Sequence, residues 1–398
     1  MKKRLIQFIL MIGILSTGCS AQSDIDKMLS SPEVERKAKA VLLSESGVEK
    51  AKSGNKSGAI SDYDQAINLD PKYAKAYFNR GNAKSNLGDK KGAISDYNQA
   101  IVLDPKDAQA YSNRGIAKYS LGDKKGSISD FEQAIILDPK LSEAYSNRGI
   151  IKSDLGDKNG AVSDYDQAII LDSKNIQAYY NRGLGKYSLG DKKGAIPDYD
   201  QAIILDPKDA QAYYNRGGTK SDLGDKKGAI SDYDQAITLD PKLPQAYYNR
   251  GIVKSGLGDK KSAISDYDQA ILLDPKDAQA YYNRGISKYS LGDKKSAISD
   301  YDQAITLDSK NARAYSNRGI AKYSLGDKNG AISDYDQAIT LDPKLAQAYS
   351  NRGVAKYQLG DIQSALMDFK AASPIFQQQG DMDKYERLQK LIQTIESQ

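Results

Sequence analysis

Small and apolar residues recur along most of the chain with a fixed period of 34 residues. In AQAYYNRGISKYSLGDKKSAISDYDQAITLDSKN, residues 278–311, they occupy positions 4, 8 and 14 of the unit, and then 20, 21, 24, 27 and 28. Each set has the spacing of one face of a helix. The pattern therefore predicts two helices in every unit, each with one buried and one exposed face.

The segments between the predicted helices carry residues that end or begin helices. Gly292, in the LGDKK turn, suits the left-handed residue at the end of a first helix. Asp293 suits the N-cap of the second helix. The LDPK segment ends the second helix, because the residue before a proline is pushed out of the helical region. One unit is thus predicted to be a helix-turn-helix.

This unit resembles the tetratricopeptide repeat, which shares its period and its order of aromatic, Gly, Leu-Gly, Ala, aromatic, Ala and Pro. The resemblance implies an all-α fold, an α-solenoid superhelix of about ten helix-turn-helix repeats. Residues 380–398 resemble the solvating helix that caps the last repeat of such solenoids. The ten repeats cover residues 40–379 and start at 40, 74, 108, 142, 176, 210, 244, 278, 312 and 346.

An arginine occupies position 7 in nine repeats and an aspartate occupies position 23 in all ten, where the family usually has a large apolar residue at position 7. Because position 7 faces the packed side, its charge needs a partner. We predict a repeated, partly buried ion pair, with the arginine stem packed on the aromatic residue of position 24. The pairing stays open, since Arg216 could meet Asp232 of its own repeat or Asp198 of the preceding one.

By the same resemblance, the first helices line the concave side, and their exposed positions are mostly uncharged here. This disfavours a clamp for a partner's C-terminal carboxylate and favours an extended peptide, held by amides and tyrosines. Tyrosine occupies position 5 only in four consecutive central repeats, so we predict that the ligand lies there. The predicted groove residues are Tyr180, Leu184, Tyr187, Tyr214, Tyr248, Tyr282, Ile286, Tyr289, Asn181, Asn215, Asn249 and Asn283. The alternative is that they are repeat consensus without a dedicated ligand.

The composition disfavours catalysis. The chain has no His and a single Cys, so the commonest general base and metal ligand is absent. We predict no catalytic residue, no metal, no cofactor and no small-molecule substrate. The net charge of +5 includes Lys2, Lys3 and Arg4 at the N-terminus, and elsewhere the basic residues are interleaved with Asp. Nucleic acid is therefore not expected as a partner.

The N-terminus resembles a bacterial lipoprotein signal. The apolar run at residues 5–15 is too short for a membrane-spanning helix, which needs about 20 residues, and has the proportions of a signal peptide. The resemblance implies a signal peptide at 1–18, lipid on Cys19 and a tether at 19–39. Ser20, in place of Asp, favours the outer membrane. The alternative is ordinary cleavage near Ala21, which would release a secreted or periplasmic soluble protein.

Together these features predict an exported, lipid-anchored and non-catalytic scaffold of the bacterial cell envelope that binds protein or peptide segments. The alternative function is structural: a spacer or assembly component of the envelope without a discrete peptide ligand.

Overall fold

The computed structural model describes residues 31–397, and this range holds 21 α-helices and no strand. The predicted signal peptide and Cys19 lie outside the described residues. Two compact bodies make up the chain, an N-terminal body (Met1–Asp191) and a C-terminal body (Lys192–Gln398). Their boundary falls inside the fifth repeat, and within each body every helix packs on the next one along the chain. The predicted all-α solenoid architecture is confirmed.

Odd-numbered helices from α1 to α19 are the first helices of the ten repeats, even-numbered helices are the second helices, and α21 follows the last repeat. The helices are α1 (Pro32–Lys52), α2 (Lys56–Leu69), α3 (Ala74–Asn86), α4 (Lys90–Leu103), α5 (Ala108–Ser120), α6 (Lys124–Leu137), α7 (Ser142–Asp154), α8 (Lys158–Leu171), α9 (Ile176–Ser188), α10 (Lys192–Leu205), α11 (Ala210–Asp222), α12 (Lys226–Leu239), α13 (Pro244–Gly256), α14 (Lys260–Leu273), α15 (Ala278–Ser290), α16 (Lys294–Leu307), α17 (Ala312–Tyr323), α18 (Lys328–Leu341), α19 (Ala346–Gln358), α20 (Ile362–Gln378) and α21 (Met382–Glu396).

The turns have the predicted chemistry. Gly292 has a φ of 89°, which an L side chain rarely adopts. The Asp293 carboxylate accepts a hydrogen bond from the Ser296 backbone N–H at 3.2 Å, so it caps α16. Asp274, the residue before Pro275, has an extended backbone and follows the last residue of α14. Turn chemistry therefore fixes the length of both helices in a repeat.

The core is built from small residues and one large ring per repeat. Tyr301, at position 24, is 2% exposed and lies against Gly285, at position 8. A Cβ added to Gly285 would sit 2.7 Å from the Tyr301 ring, so no larger residue fits at position 8 without a shift. Ala297 and Ala304, on either side of the ring along α16, are fully buried. Small residues thus let two helices close around one aromatic side chain.

The two ends of the array differ from its middle. Helix α1 begins at Pro32, so residues 32–39 of the predicted tether are helical, and proline at the first helical position suits this start. The predicted capping helix is present as α21. Its buried residues Leu388, Ile392 and Ile395 belong to one apolar cluster with Phe376 of α20. The last repeat is thereby shielded from water.

The arginine of position 7 joins two repeats. Arg216 donates from Nε to Asp232 Oδ2 at 2.9 Å and from Nη2 to Asp232 Oδ1 at 2.6 Å. Its Nη1 donates to Asp200 Oδ1, at position 25 of the preceding repeat, at 2.6 Å. The pairing with position 23 is therefore within the repeat, and the residue contacted in the preceding repeat is Asp200, not Asp198. Lys220 Nζ, at position 11, adds a contact to Asp232 Oδ2 at 2.8 Å.

The guanidinium also lies over an aromatic ring of its own helix. Arg216 Cζ is 5.4 Å from the centroid of Tyr213, at position 4. Burial lowers the pKa of Arg216, but the hydrogen bonds with Asp232 and Asp200 outweigh this effect, and the pKa is raised. The arginine is thus held charged in the packed interior.

The same contacts recur along both bodies. Arginines that pair with the aspartates of positions 23 and 25 in this way are Arg80, Arg216, Arg250, Arg284, Arg318 and Arg352. Arg114 meets Asn98 instead of an aspartate in the preceding repeat, at 2.8 Å. The repeated ion pair is thus a junction between repeats as well as within them.

Removing one arginine should destabilise the C-terminal body strongly. Arg216→Ala leaves the 5%-exposed Asp232 side chain with Lys220 alone, and breaking a buried pair in this way costs about 3–5 kcal/mol. Lys227→Ala, at an exposed position, should stay within about 0.5 kcal/mol of the parent protein. Urea unfolding followed by circular dichroism measures both. Equal losses in the two variants would show that the arginine is solvated.

Alkaline pH should destabilise the fold through the buried tyrosines of position 24. Burial raises the pKa of Tyr267, Tyr301 and Tyr335 above the ordinary value near 10. Their contribution to stability is therefore complete below about pH 10 and is lost as pH rises further, because the unfolded chain ionises first. Because the chain has no tryptophan, tyrosinate absorbance can be followed without interference. Part of this absorbance should appear at the same pH at which the helical circular dichroism signal is lost. Titration of all 28 tyrosines near pH 10 with unchanged helicity would contradict this.

Candidate partner-binding face

The residues predicted to form the groove lie on four first helices. Tyr214, Tyr248 and Tyr282 occupy the same position of α11, α13 and α15, three consecutive first helices of the C-terminal body. Helix α9 of the N-terminal body carries Tyr180, Asn181, Leu184 and Tyr187. We call the surface formed by positions 5, 6, 9 and 12 of α11, α13 and α15 the first-helix face.

The three tyrosine hydroxyls each reach the next repeat. Asn249 Nδ2 donates to the Tyr214 hydroxyl at 2.9 Å, and Asn283 Nδ2 donates to the Tyr248 hydroxyl at 2.9 Å. The Tyr282 hydroxyl accepts in the same way from Asn317, at 3.0 Å. Sequence reasoning treated these tyrosines and asparagines as contacts for a ligand and missed the bond between them. The signal was present, because each of these tyrosines is followed by asparagine 35 residues later.

The tyrosine rings are half-buried. Each ring is tilted against the position-24 ring of its own repeat, with centroids 6.0 Å apart for Tyr214 and Tyr233 and 6.1 Å apart for Tyr282 and Tyr301. Burial is the main cause that raises the pKa of Tyr214 and Tyr282. The phenols therefore stay neutral at neutral pH. Since each oxygen accepts from an amide, its own O–H remains available to donate.

Positions 9 and 12 continue the same face. On α15, Ile286 is half-buried, and the Tyr289 hydroxyl lies 2.9 Å from Ser324 Oγ of the next repeat. On α11, position 9 is Gly218, where an added Cβ would meet only the Tyr233 hydroxyl, at 3.6 Å. The face is therefore apolar and hydroxyl-lined beside Tyr282, and open beside Tyr214.

On α9 the predicted residues form a similar surface within the N-terminal body. Leu184 is half-buried and Tyr187 is 37% exposed. Gln177 Nε2 donates to Asn181 Oδ1 at 3.1 Å, so this asparagine is oriented by its own helix.

The described residues offer no group of three His, Cys, Asp or Glu side chains that could hold a metal ion. Between residues 31 and 397, no helix has both the length and the apolar character needed to cross a membrane. The side chains of the first-helix face are mainly phenols, hydroxyls, amides and aliphatic groups.

Family models cover most of the chain at the repeat period. A model described as TPR repeat and another described as tetratricopeptide repeat match the array in overlapping pieces. The chain belongs to the tetratricopeptide repeat family. As a member of this family, it has the architecture of a protein-interaction scaffold. The first model matches residues 49–88, 86–122, 185–224, 219–258, 256–292, 287–326 and 321–360, and the second matches 108–141 and 142–175.

The chain is similar to solved structures of other tetratricopeptide repeat proteins. The C-terminal part of a TPR repeat-containing protein from Cytophaga hutchinsonii is 19% identical with a TM-score of 0.51, covering 60% of this chain and 98% of that one. A tetratricopeptide repeat protein from Parabacteroides merdae is 21% identical with a TM-score of 0.46, covering 65% and 98%. YrrB, titled a TPR protein with an unusual peptide-binding site, is 23% identical with a TM-score of 0.43, covering 46% and 95%. No curated protein matches the sequence.

Proposed function

We propose that this protein is an exported, lipid-anchored and non-catalytic scaffold that binds extended peptide segments of partner proteins on its first-helix face. The observation that carries the binding mode is the tyrosine–asparagine pair repeated at Tyr214, Tyr248 and Tyr282. Each pair orients a neutral phenol whose O–H can donate. An extended peptide presents backbone carbonyls at regular intervals, so a regular series of donors suits it.

The charged side chains of the array support a neutral ligand. Each arginine of position 7 is held by its aspartates, and Arg216 is only 15% exposed. A phosphate would have to displace two carboxylates from it. On α11 and α13, the positions beside Tyr214 and Tyr248 are Gln211 and Gln245, which are neutral and exposed. A peptide backbone with uncharged side chains fits this surface better than an anionic terminus does.

The anchor is supported by the sequence alone. A basic start, a short apolar run and Cys19 follow one another in the order of a bacterial lipoprotein signal. Lipid on Cys19 would give the single cysteine of the chain a function. The alternative, a structural spacer of the envelope, requires the same repeats but no ligand on the first-helix face.

Removing the three phenol hydroxyls should weaken peptide binding. The triple variant Tyr214→Phe, Tyr248→Phe and Tyr282→Phe keeps the rings but loses three donors, each worth about 0.5–1.5 kcal/mol, so affinity should fall at least about tenfold. An array of synthetic, unstructured peptides from cell-envelope proteins, probed with both proteins, identifies ligands. Titration of the best peptide then measures the change.

Tyr357→Phe is the matched control, since this exposed tyrosine lies on α19, outside the predicted stretch. Each lost tyrosine–asparagine bond also lowers stability by about 0.5–1.5 kcal/mol, so circular dichroism must show that the triple variant is folded. If it is not, the single variant Tyr248→Phe replaces it. A folded variant that binds the same peptides as strongly as the parent protein would contradict binding through these hydroxyls, whereas a parent protein that binds no peptide supports the spacer alternative.

Cys19→Ser should abolish lipid attachment. The parent protein should incorporate labelled fatty acid and fractionate with membranes, whereas the variant should remain an unprocessed precursor or become soluble. Mass spectrometry of the N-terminal peptide measures the modification. A parent protein that takes up no lipid and is found in the soluble envelope fraction would favour ordinary cleavage and secretion.

A further inference from the structure

The hydrogen-bond partner of the position-6 asparagine changes with the residue at position 5 of the preceding repeat. The fifth and tenth repeats follow repeats that carry serine at position 5. In both, the glutamine of position 2 holds the asparagine of its own helix. Gln177 Nε2 donates to Asn181 Oδ1 at 3.1 Å, and Gln347 Nε2 donates to Asn351 Oδ1 at 2.8 Å. After a serine repeat, glutamine and asparagine are thus partners within one helix.

After a tyrosine repeat, the glutamine loses this partner. In the eighth repeat, Asn283 donates to the Tyr248 hydroxyl of the seventh repeat at 2.9 Å. Gln279, at position 2 of the same helix, is exposed, and its side chain makes no hydrogen bond to any residue that the structure describes. The seventh repeat is arranged in the same way. Its asparagine donates to Tyr214, and Gln245 is exposed without a side-chain partner among the described residues.

A third case in the N-terminal body shows that the asparagine bond, rather than tyrosine itself, releases the glutamine. The second repeat has Phe78 at position 5, which has no hydroxyl. There Asn82, at position 9, accepts from Asn113 of the third repeat at 2.9 Å. Gln109, at position 2 of that third repeat, is exposed, and its side chain again has no hydrogen-bond partner within residues 31–397. An asparagine that bonds to the preceding repeat therefore leaves its glutamine available.

A released glutamine supplies what the tyrosines of the first-helix face cannot. Gln245 lies three residues before Tyr248 on α13, and Gln279 lies three residues before Tyr282 on α15, so each pair shares one side of its helix. The phenol O–H donates, whereas the glutamine side chain has both an acceptor oxygen and an N–H donor. A bound peptide presents N–H groups as well as carbonyls, and an N–H group that loses water without gaining an acceptor weakens binding.

We propose that Gln245 and Gln279 accept hydrogen bonds through Oε1 from backbone N–H groups of the bound peptide, because the tyrosine–asparagine bonds release them from their own helices. This inference rests on the proposed function and specifies how the ligand is recognised. Helices α13 and α15 are neighbours, packed helices lie about 8–10 Å apart, and an extended chain advances about 3.3 Å per residue. The two N–H groups are therefore about three residues apart in the peptide. Proline at either place has no N–H and would weaken binding.

The double variant Gln245→Met and Gln279→Met tests the two acceptors. Methionine keeps an unbranched side chain of similar length and suits a helix, but it cannot replace the amide. The peptide that binds the parent protein best in the array is titrated into both proteins. Loss of two hydrogen bonds should lower its affinity at least about fivefold. The matched control, Gln109→Met with Gln347→Met, changes two glutamines at the same position outside α11, α13 and α15, and it should bind as the parent protein does.

Copies of the same peptide, each with one N-methylated residue, locate the N–H groups. Two of these methylations, about three residues apart, should weaken binding to the parent protein. The same two should have little effect on binding to the double variant, because the acceptors of those N–H groups are already gone. Such a double-mutant cycle separates a direct hydrogen bond from a general effect of the substitution on the fold.

The release of the glutamine is tested by combining Tyr248→Phe with Gln279→Met. Without the hydroxyl, Asn283 loses its acceptor in the preceding repeat and should pair with Gln279, as Asn351 pairs with Gln347. Gln279→Met should then weaken peptide binding less in the Tyr248→Phe background than in the parent protein. Equal effects in the two backgrounds would show that the tyrosine–asparagine bond does not control the glutamine.

The outcomes separate this inference from the proposed function. A double glutamine variant that binds as strongly as the parent protein, or methylation effects that are the same in both proteins, overturns the inference and leaves binding through the hydroxyls intact. An equal loss in the control variant also overturns it, because the effect would not belong to the tyrosine repeats. A parent protein that binds no peptide overturns the proposed function, and the inference with it.

Discussion

In most repeats a half-buried arginine at position 7 links the repeat to the one before it. Arg216 makes two hydrogen bonds to Asp232 in its own repeat and one to Asp200 in the preceding repeat, while its plane lies near the Tyr213 ring. The planar guanidinium donates two parallel bonds to one carboxylate and a third bond to another, a geometry that the compact ammonium of lysine does not reproduce. An apolar residue, usual at this position in the family, would leave Asp232 to Lys220 alone. The arginine is thus part of the architecture.

At each end of the array, one of the two repeats that this arginine would link is missing. The first repeat has no predecessor and no arginine; there Ser46 occupies position 7 and donates to Asp62 at 2.7 Å, with Lys50 as the second partner. The last repeat has no successor, and its position 25 is Lys370, which pairs with Glu396 of the capping helix at 2.5 Å. At both ends, therefore, the residue that would link to a missing repeat is replaced by one that pairs within the end itself.

The sequence was sufficient to predict the period, the turns and the capping helix, because each depends on residues close together in the chain. It could not choose between Asp198 and Asp232 for Arg216, because identical repeats offer the same candidate partners at every step. The offset between neighbouring helix pairs decides this, and it also brings Asp200 into reach. The bond from Asn249 to Tyr214 was missed although the asparagine stands 35 residues after the tyrosine, because that spacing indicates a contact only once the offset between repeats is known. The start of α1 at Pro32 was missed because the repeat register, rather than the proline itself, was used to set the boundary.

The tyrosines of position 5 connect the stability of the C-terminal body with its proposed binding. In flanking repeats the same position holds a buried serine, such as Ser316, which is 5% exposed. A serine side chain is too short to reach an asparagine of the next repeat, whereas the Tyr282 hydroxyl accepts a hydrogen bond from Asn317. The tyrosine repeats therefore differ from their neighbours in both packing and available donors. A ligand carbonyl that accepts from Tyr248 would polarise the hydroxyl and strengthen the bond it accepts from Asn283, since hydrogen bonds in a chain reinforce one another. Peptide binding on this face would consequently tighten the junctions between the repeats that it crosses.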